Sequence, residues 1–151
     1  MSFSDAQINN LIYSSCLSLD GKDYDSYLKL FSEEMNYRVV AYSPELRREM
    51  VWLDHNFTEM KNLFKMLPQH VKLPGTFFRH SVVYQIERIE QTLKATTSLM
   101  LMYTDLNGST KLMAAGRYHD TLSESDGALL IKSREVRLET RDLGPGIQVP
   151  I

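Results

Sequence analysis

Four histidines, His55, His70, His80 and His119, are the side chains best suited to move a proton near neutral pH. No two of them stand four apart on a predicted helix, and no H-E-x-x-H pattern occurs, so a helical metal site has no support. His80 and His119 fall in predicted strands. One of them, pointing into an interior, would act as a general base with Asp120 or Asp54 as its orienting partner. The plainer reading, a hydrogen-bonded strand histidine or one at a subunit contact, is preferred. His119 and Asp120 are neighbours, so in a strand their side chains face opposite sides of the sheet and form no dyad. A pair between His80 and His119, or His80 and Asp120, needs a particular strand register.

Cys16 is the one cysteine in 151 residues. An iron–sulfur cluster needs four protein ligands, and the Rieske type needs two Cys and two His. This chain therefore cannot hold such a cluster by itself. Structural zinc, which takes several Cys or His at short spacing, is equally unsupported. Cys16 falls on an apolar helical stripe and reads as core, and Ser14 and Ser15 have no evident base beside them. Gly108 and Gly116 belong to no G-x-G-x-x-G or P-loop pattern, so nucleotide binding has no support.

The densest polar groups in otherwise apolar strands are Arg79-His80 and Arg117-Tyr118-His119-Asp120. Alternation puts Arg79, Ser81 and Val83 on one face and His80, Val82 and Tyr84 on the other. Arginine suits interfaces because its planar fork pairs with carboxylates. Solvated faces or internal salt bridges explain these residues equally well. The run Lys132 to Asp142, with Arg134 and Arg137, alternates charge and reads mainly as a wet face, with Val136 and Leu138 supplying a buried side. The tail, Leu143 to Ile151, is apolar and is expected to dock on its own domain or on a neighbour.

These residues need a scaffold, and the bulk properties bound it. Apolar residues make up 43% and charged residues 24%, the balance of a globular chain able to form one domain over residues 1–151. A net charge of −2 gives no field to attract nucleic acid or anionic lipid. No apolar run is long enough to span a bilayer, and the first ten residues show no secretory signal. With a single cysteine, a cytoplasmic location is expected. The eight methionines read as adaptable filler of core or interface.

Up to about Pro74 the sequence favours helices joined by short extended pieces. Ser4 and Gln7 have capping-box spacing, Ile8, Leu11, Ile12, Cys16 and Leu19 form an apolar stripe, and Gly21 is placed to end the helix with positive φ. A second helix starts near Asp23 and buries Tyr24, Tyr27, Leu28 and Phe31. Asn36 to Tyr42 reads as a strand broken by Ser43-Pro44, with a short extended piece at Met50 to Leu53. Asn56 or Thr58 caps a third helix that Pro68 stops. Strands follow at Thr76–Ile89, Ala95–Leu106, Ser109–Glu124 and Ala128–Leu138, with Asn107-Gly108 and Asp126-Gly127 predicted as type I′ turns. Ser98 to Tyr103 is apolar on both faces, which suggests cover on both sides, one of them a partner chain. Helices on a curved antiparallel sheet give an α+β fold, expected to be the cystatin-like cone of the nuclear transport factor 2-like superfamily.

The order of these pieces resembles the small (beta) subunits of Rieske non-haem iron ring-hydroxylating oxygenases. The resembling residues are Leu19-Asp20, Tyr24-Asp25, Arg79 to Val83, Gly116 to Leu122, Asp126-Gly127, Ile131 to Leu143 and Val149-Pro150-Ile151. Ala41 to Glu45 and Trp52 to His55 are more similar to the methanesulfonate monooxygenase branch than to the aromatic dioxygenases. The resemblance implies a structural subunit with no catalytic, metal or cofactor residue of its own. Its large (alpha) partner would carry the Rieske cluster and the mononuclear iron, commonly with three subunits of each kind. Arg79, His80, Arg117, Tyr118 and Asp120 match the family's motif positions and would serve sheet integrity and subunit contacts. Arg134 and Arg137 join that set. The competing expectation is a free-standing SnoaL-like isomerase, cyclase or dehydratase of the same fold. That enzyme would use His80, His119, Asp54 or Asp120 in a closed cone pocket.

Overall fold

Ser4 opens the first helix as its spacing predicts. Its hydroxyl accepts from the Gln7 amide at 3.2 Å, while Gln7 Oε1 accepts from the Ser4 amide at 2.9 Å. The computed structural model describes the backbone of residues 2–70, 73–144 and 150–151, and the side chains of these except 68–70. Helix α1 (Asp5–Asp20) buries Ile8, Leu11, Ile12, Cys16 and Leu19 on one stripe. Its end differs from the expectation at Gly21, whose φ is −83°. Lys22 takes the left-handed position instead, at φ 56°. The Asp23 amide then reaches the Ser18 carbonyl at 2.8 Å and the Lys22 amide the Leu19 carbonyl at 3.1 Å. This is a Schellman closure with lysine where glycine is usual, because the chain turns one residue later than Gly21.

Helix α2 (Tyr24–Lys29) stops before Phe31, which opens strand β1 (Phe31–Ser43) and is buried there. Strand β2 (Arg48–Asn56) is longer than the short piece foreseen, because pairing with β1 extends it. Asn56 caps α3 (Phe57–His70) by accepting from the Glu59 amide at 2.9 Å, and Glu59 returns the contact at 3.0 Å. Pro68 does not stop α3, which runs to His70. A proline this close to a helix end removes one backbone donor and leaves the earlier turns intact.

Strands β3 (Thr76–Ile89), β4 (Thr92–Thr104), β5 (Thr110–Ser125) and β6 (Ala128–Leu138) form the antiparallel meander. The six-stranded sheet has the order β2-β1-β6-β5-β4-β3, and β1 pairs with β6 in parallel. The sheet is therefore mixed, and not antiparallel throughout. At the β5–β6 turn Asp126 and Gly127 have φ of 51° and 80°, the type I′ signature. Asn107-Gly108 behaves otherwise, since only Gly108 is left-handed, at φ 85°. The Asp105 carboxylate accepts from the amides of Asn107 (2.9 Å) and Ser109 (3.0 Å) and closes a wider loop.

Four register shifts leave Trp52, Tyr84, Met113 and Lys132 without a cross-strand partner. Each such bulge bends its strand, and together they curve the sheet around the helices. The outward amides of edge strand β3 are partly capped by α1. Asp20 accepts from the Arg79 amide at 3.2 Å and the Tyr13 hydroxyl from the Val83 amide at 3.1 Å. Inside the cone the Tyr27 ring packs against Phe31 and Phe64, with ring centroids 4.8 and 5.8 Å apart. Among the described residues no helix is long and apolar enough to cross a membrane.

Candidate functional site

Strands β5 and β6 place Asp120 and Arg134 directly opposite each other. Arg134 Nε and Nη2 donate to the two carboxylate oxygens of Asp120 at 2.8 and 2.9 Å, and neither side chain is exposed to water. Arg134 Nη1 donates to the Ser15 hydroxyl at 2.9 Å. The Arg134 guanidinium lies 3.9 Å from the Tyr118 ring centroid and 5.8 Å from that of Phe31. Burial opposes the charge on Arg134, but the Asp120 carboxylate outweighs it and holds the guanidinium well above its usual value. Both oxygens of the Asp120 carboxylate are thus engaged by a permanent cation.

A second buried cation, Arg79, sits on β3. Nη1 donates to Asp20 Oδ1 at 2.7 Å and Nη2 to the Pro150 carbonyl at 2.8 Å. The Tyr118 hydroxyl donates to the Ile151 carbonyl, and the Ile151 amide donates to the Tyr37 hydroxyl, both at 2.9 Å. Burial pushes the Tyr27 phenol up to about 12, and raises Tyr37 and Tyr118 further in the same direction. Leu143, Pro150 and Ile151 are buried, so the ends of the apolar tail dock on the chain's own core. The rest of the expectation for the tail, over residues 145–149, lies outside the described residues.

Of the residues singled out in the sequence, Arg79, Tyr118, Asp120 and Arg134 thus meet inside the cone. His80, Arg117 and Arg137 stand on the outer face of the sheet. His80 and His119 do not look inward, in keeping with the plainer reading: each is exposed beside a buried strand neighbour. Asp54 is exposed on β2, where it accepts from Asn36 Nδ2 at 3.0 Å. His55, also on β2, lies 4.0 Å from Glu59, and the His70 side chain lies outside the described residues. His80, His119, Asp54 and Asp120 therefore share no pocket.

The charged run of β6 is divided by the pleat, not wet as a whole: Arg134 is buried while Glu135 and Arg137 reach outward. Outside, Arg137 pairs with Glu135 at 2.8 Å and with Glu49, Arg38 with Asp54 at 3.5 Å, and Arg117 with Glu139 at 3.6 Å. Beside this charged half lies an apolar half formed by Phe78, Val82, Met100 and Leu112, which are 41–53% exposed. The outer side of Ser98 to Tyr103 is thus open at Met100.

Sequence reasoning missed Asp20 as the partner of Arg79, Ser15 as a ligand of Arg134, and Tyr37 as a contact of the tail. Only the first left a trace, since Asp20 closes α1 as a charged residue directly after the apolar stripe. The residues present do not fit an iron–sulfur cluster: Cys16 is buried 3.9 Å from the Tyr118 hydroxyl. Among the described residues no three His, Cys, Asp or Glu gather as a metal site.

Known proteins resemble this chain over nearly its whole length. The beta subunit of methanesulfonate monooxygenase hydroxylase from Methylosulfonomonas methylovora is 29% identical, over 95% of this chain and 85% of that protein. The beta subunit of 2-aminobenzenesulfonate 2,3-dioxygenase from an Alcaligenes species is 28% identical, over 95% of this chain and 97% of that protein. The beta subunit of a putative aromatic-ring-hydroxylating dioxygenase from Novosphingobium aromaticivorans superposes with a TM-score of 0.81 at 19% identity. That superposition covers 97% of this chain and 95% of that one. The family model described as ring hydroxylating beta subunit matches residues 16–144, and the chain belongs to that family of oxygenase small subunits.

Proposed function

We propose that this chain, as a single domain, is the structural beta subunit of a multicomponent Rieske non-haem iron oxygenase of the aromatic-ring or sulfonate type. The family match over residues 16–144 carries the reading. The interior of the cone supports it, because Asp120 is tied to Arg134 and the described histidine side chains lie elsewhere. A free-standing acid–base enzyme would need one of those groups unengaged in a pocket.

In this role Arg79, Tyr118, Asp120 and Arg134 hold the curved sheet in shape. His80, Arg117 and Arg137 stand where a partner can reach them, beside the apolar patch of Phe78, Val82, Met100 and Leu112. The partner is the large alpha subunit, which carries the Rieske cluster and the mononuclear iron, in an assembly of three large and three small chains. A cytoplasmic location accords with the single cysteine.

Gentle purification of the tagged chain from its native host, followed by mass spectrometry and iron assay, tests the proposal. The expected result is an equimolar larger chain containing iron, whose sequence then gives the substrate class. Recovery of the chain alone and without iron would overturn the assignment.

A further inference from the structure

The cone is closed at one end by a short piece of its own chain. Pro150 and Ile151 offer two carbonyls and one amide, and three side chains from the wall answer them: Arg79, Tyr118 and Tyr37. The Arg79 side chain is 1% exposed and both tyrosines are 0% exposed, so these contacts form away from water. The Ile151 side chain enters the same hydrophobic cluster as Leu19, Tyr37 and Tyr118. This is the make-up of a ligand pocket, with apolar walls and a few convergent polar groups that set orientation.

The wall also has more polar capacity than its occupant uses. Arg79 Nε and the Tyr27 hydroxyl are buried without a partner among the described residues. A cavity of about 60 Å³, lined by Leu19, Asp20, Tyr24, Phe77 and Arg79, opens beside the same guanidinium. Buried donors left unpaired are costly, so a site evolved only for these two residues would not be expected to keep them.

We propose that this end of the cone is a small-molecule pocket whose resident occupant is Pro150–Ile151, and that it admits a short branched aliphatic carboxylate when that segment withdraws. The carboxylate takes the place of the two carbonyls, receiving hydrogen bonds from Arg79 and Tyr118, and the branched chain takes the place of the isoleucine. Binding is non-covalent and needs no cofactor. The pocket belongs to this chain alone and does not depend on which large subunit it joins.

The test compares the full chain with a variant lacking Pro150 and Ile151, each melted with increasing 4-methylpentanoate and, as a charge control, 3-methylbutylamine. The shortened chain is expected to melt lower. It should regain about 4 °C, saturably, at ten times the dissociation constant of the acid. The amine should give no such rise, the full chain should not respond, and adding Tyr118→Phe should weaken binding about tenfold. No saturable rise in the folded variant, or an equal rise in the full chain, overturns the proposal. Should the shortened chain fail to fold, Ile151→Gly keeps the backbone contacts and vacates the apolar end. Xenon then enters that space, read as a saturable xenon NMR shift absent from the full chain, or the proposal falls.

Discussion

Arg134 and Arg137 stand three residues apart on β6, and each makes paired contacts with carboxylates, yet they lie in different media. Arg134 and Asp120 are sealed inside the cone, whereas the Arg137 side chain is 39% exposed and shared between Glu135 and Glu49. In water, charges 4 Å apart attract by about 1 kcal/mol, and near a protein surface by about 4. The inner pair gains more Coulomb energy but has lost its hydration, so its net contribution over an apolar pair is small. Its importance lies in what happens when one partner is removed. The outer pairs keep their water and lose little with either partner. The inner face thus depends on complete pairing, and the outer face is free to change with a binding partner.

The sharpest way to break this comparison is Asp120→Ala, which strands a buried guanidinium. It is expected to cost about 3–5 kcal/mol in urea unfolding. The double variant Asp120→Leu with Arg134→Met should recover most of that loss, as the desolvation of both charges disappears. A cost for the single variant as small as that of an exposed pair would remove the distinction between the faces.

Alkali acts on the inner face as well. Folded Tyr27 keeps its proton up to about 12, while the unfolded chain releases it near 10. Above pH 10 the unfolded state binds fewer protons, so the contribution is complete below that value and falls as pH rises toward 12. The loss is about 3 kcal/mol across that window, visible as a steep fall in unfolding free energy. Tyr37 and Tyr118 act in the same direction.

Gly116→Ala probes the closeness of the inner ladder. A Cβ there would collide with the Arg137 carbonyl oxygen and meet the Leu138 Cα at 2.8 Å, both backbone atoms that cannot swing aside. A loss of about 1–3 kcal/mol is expected from thermal or urea unfolding. The smallest effect on stability belongs to the outer face. His80→Ala, Arg117→Ala and Arg137→Ala should each cost less than about 1 kcal/mol. If the proposed partner docks there, the same variants should reduce recovery of the iron-bearing large chain in co-purification. Unchanged recovery would move the contact to another face.

Alternation made much of this division legible in the sequence. Arg79 shares its parity with Ser81 and Val83, and Tyr118 and Asp120 share theirs with the buried Leu122. The parity that buries Val136 and Leu138 also buries Arg134, a consequence available from the sequence but obscured by the surrounding charge. The rule fails at Lys132, which has the same parity and is exposed, because the bulge there shifts the register. It fails likewise at Leu112, beside the bulge at Met113. No motif in the sequence announced these bulges.

The sequence by itself determined the elements and most of their faces. Capping boxes, the helical stripe of α1, the Asp126-Gly127 turn and strand alternation act over a few residues, so a local pattern suffices to read them. Tertiary structure alone decided the parallel pairing of β1 with β6 and the docking of Arg79 on Asp20. It also decided the meeting of Asp120 with Arg134 and the seating of Pro150–Ile151 against Tyr37 and Tyr118. These contacts join groups far apart in the chain, and their energy appears only once the curved sheet has brought the groups together and excluded water.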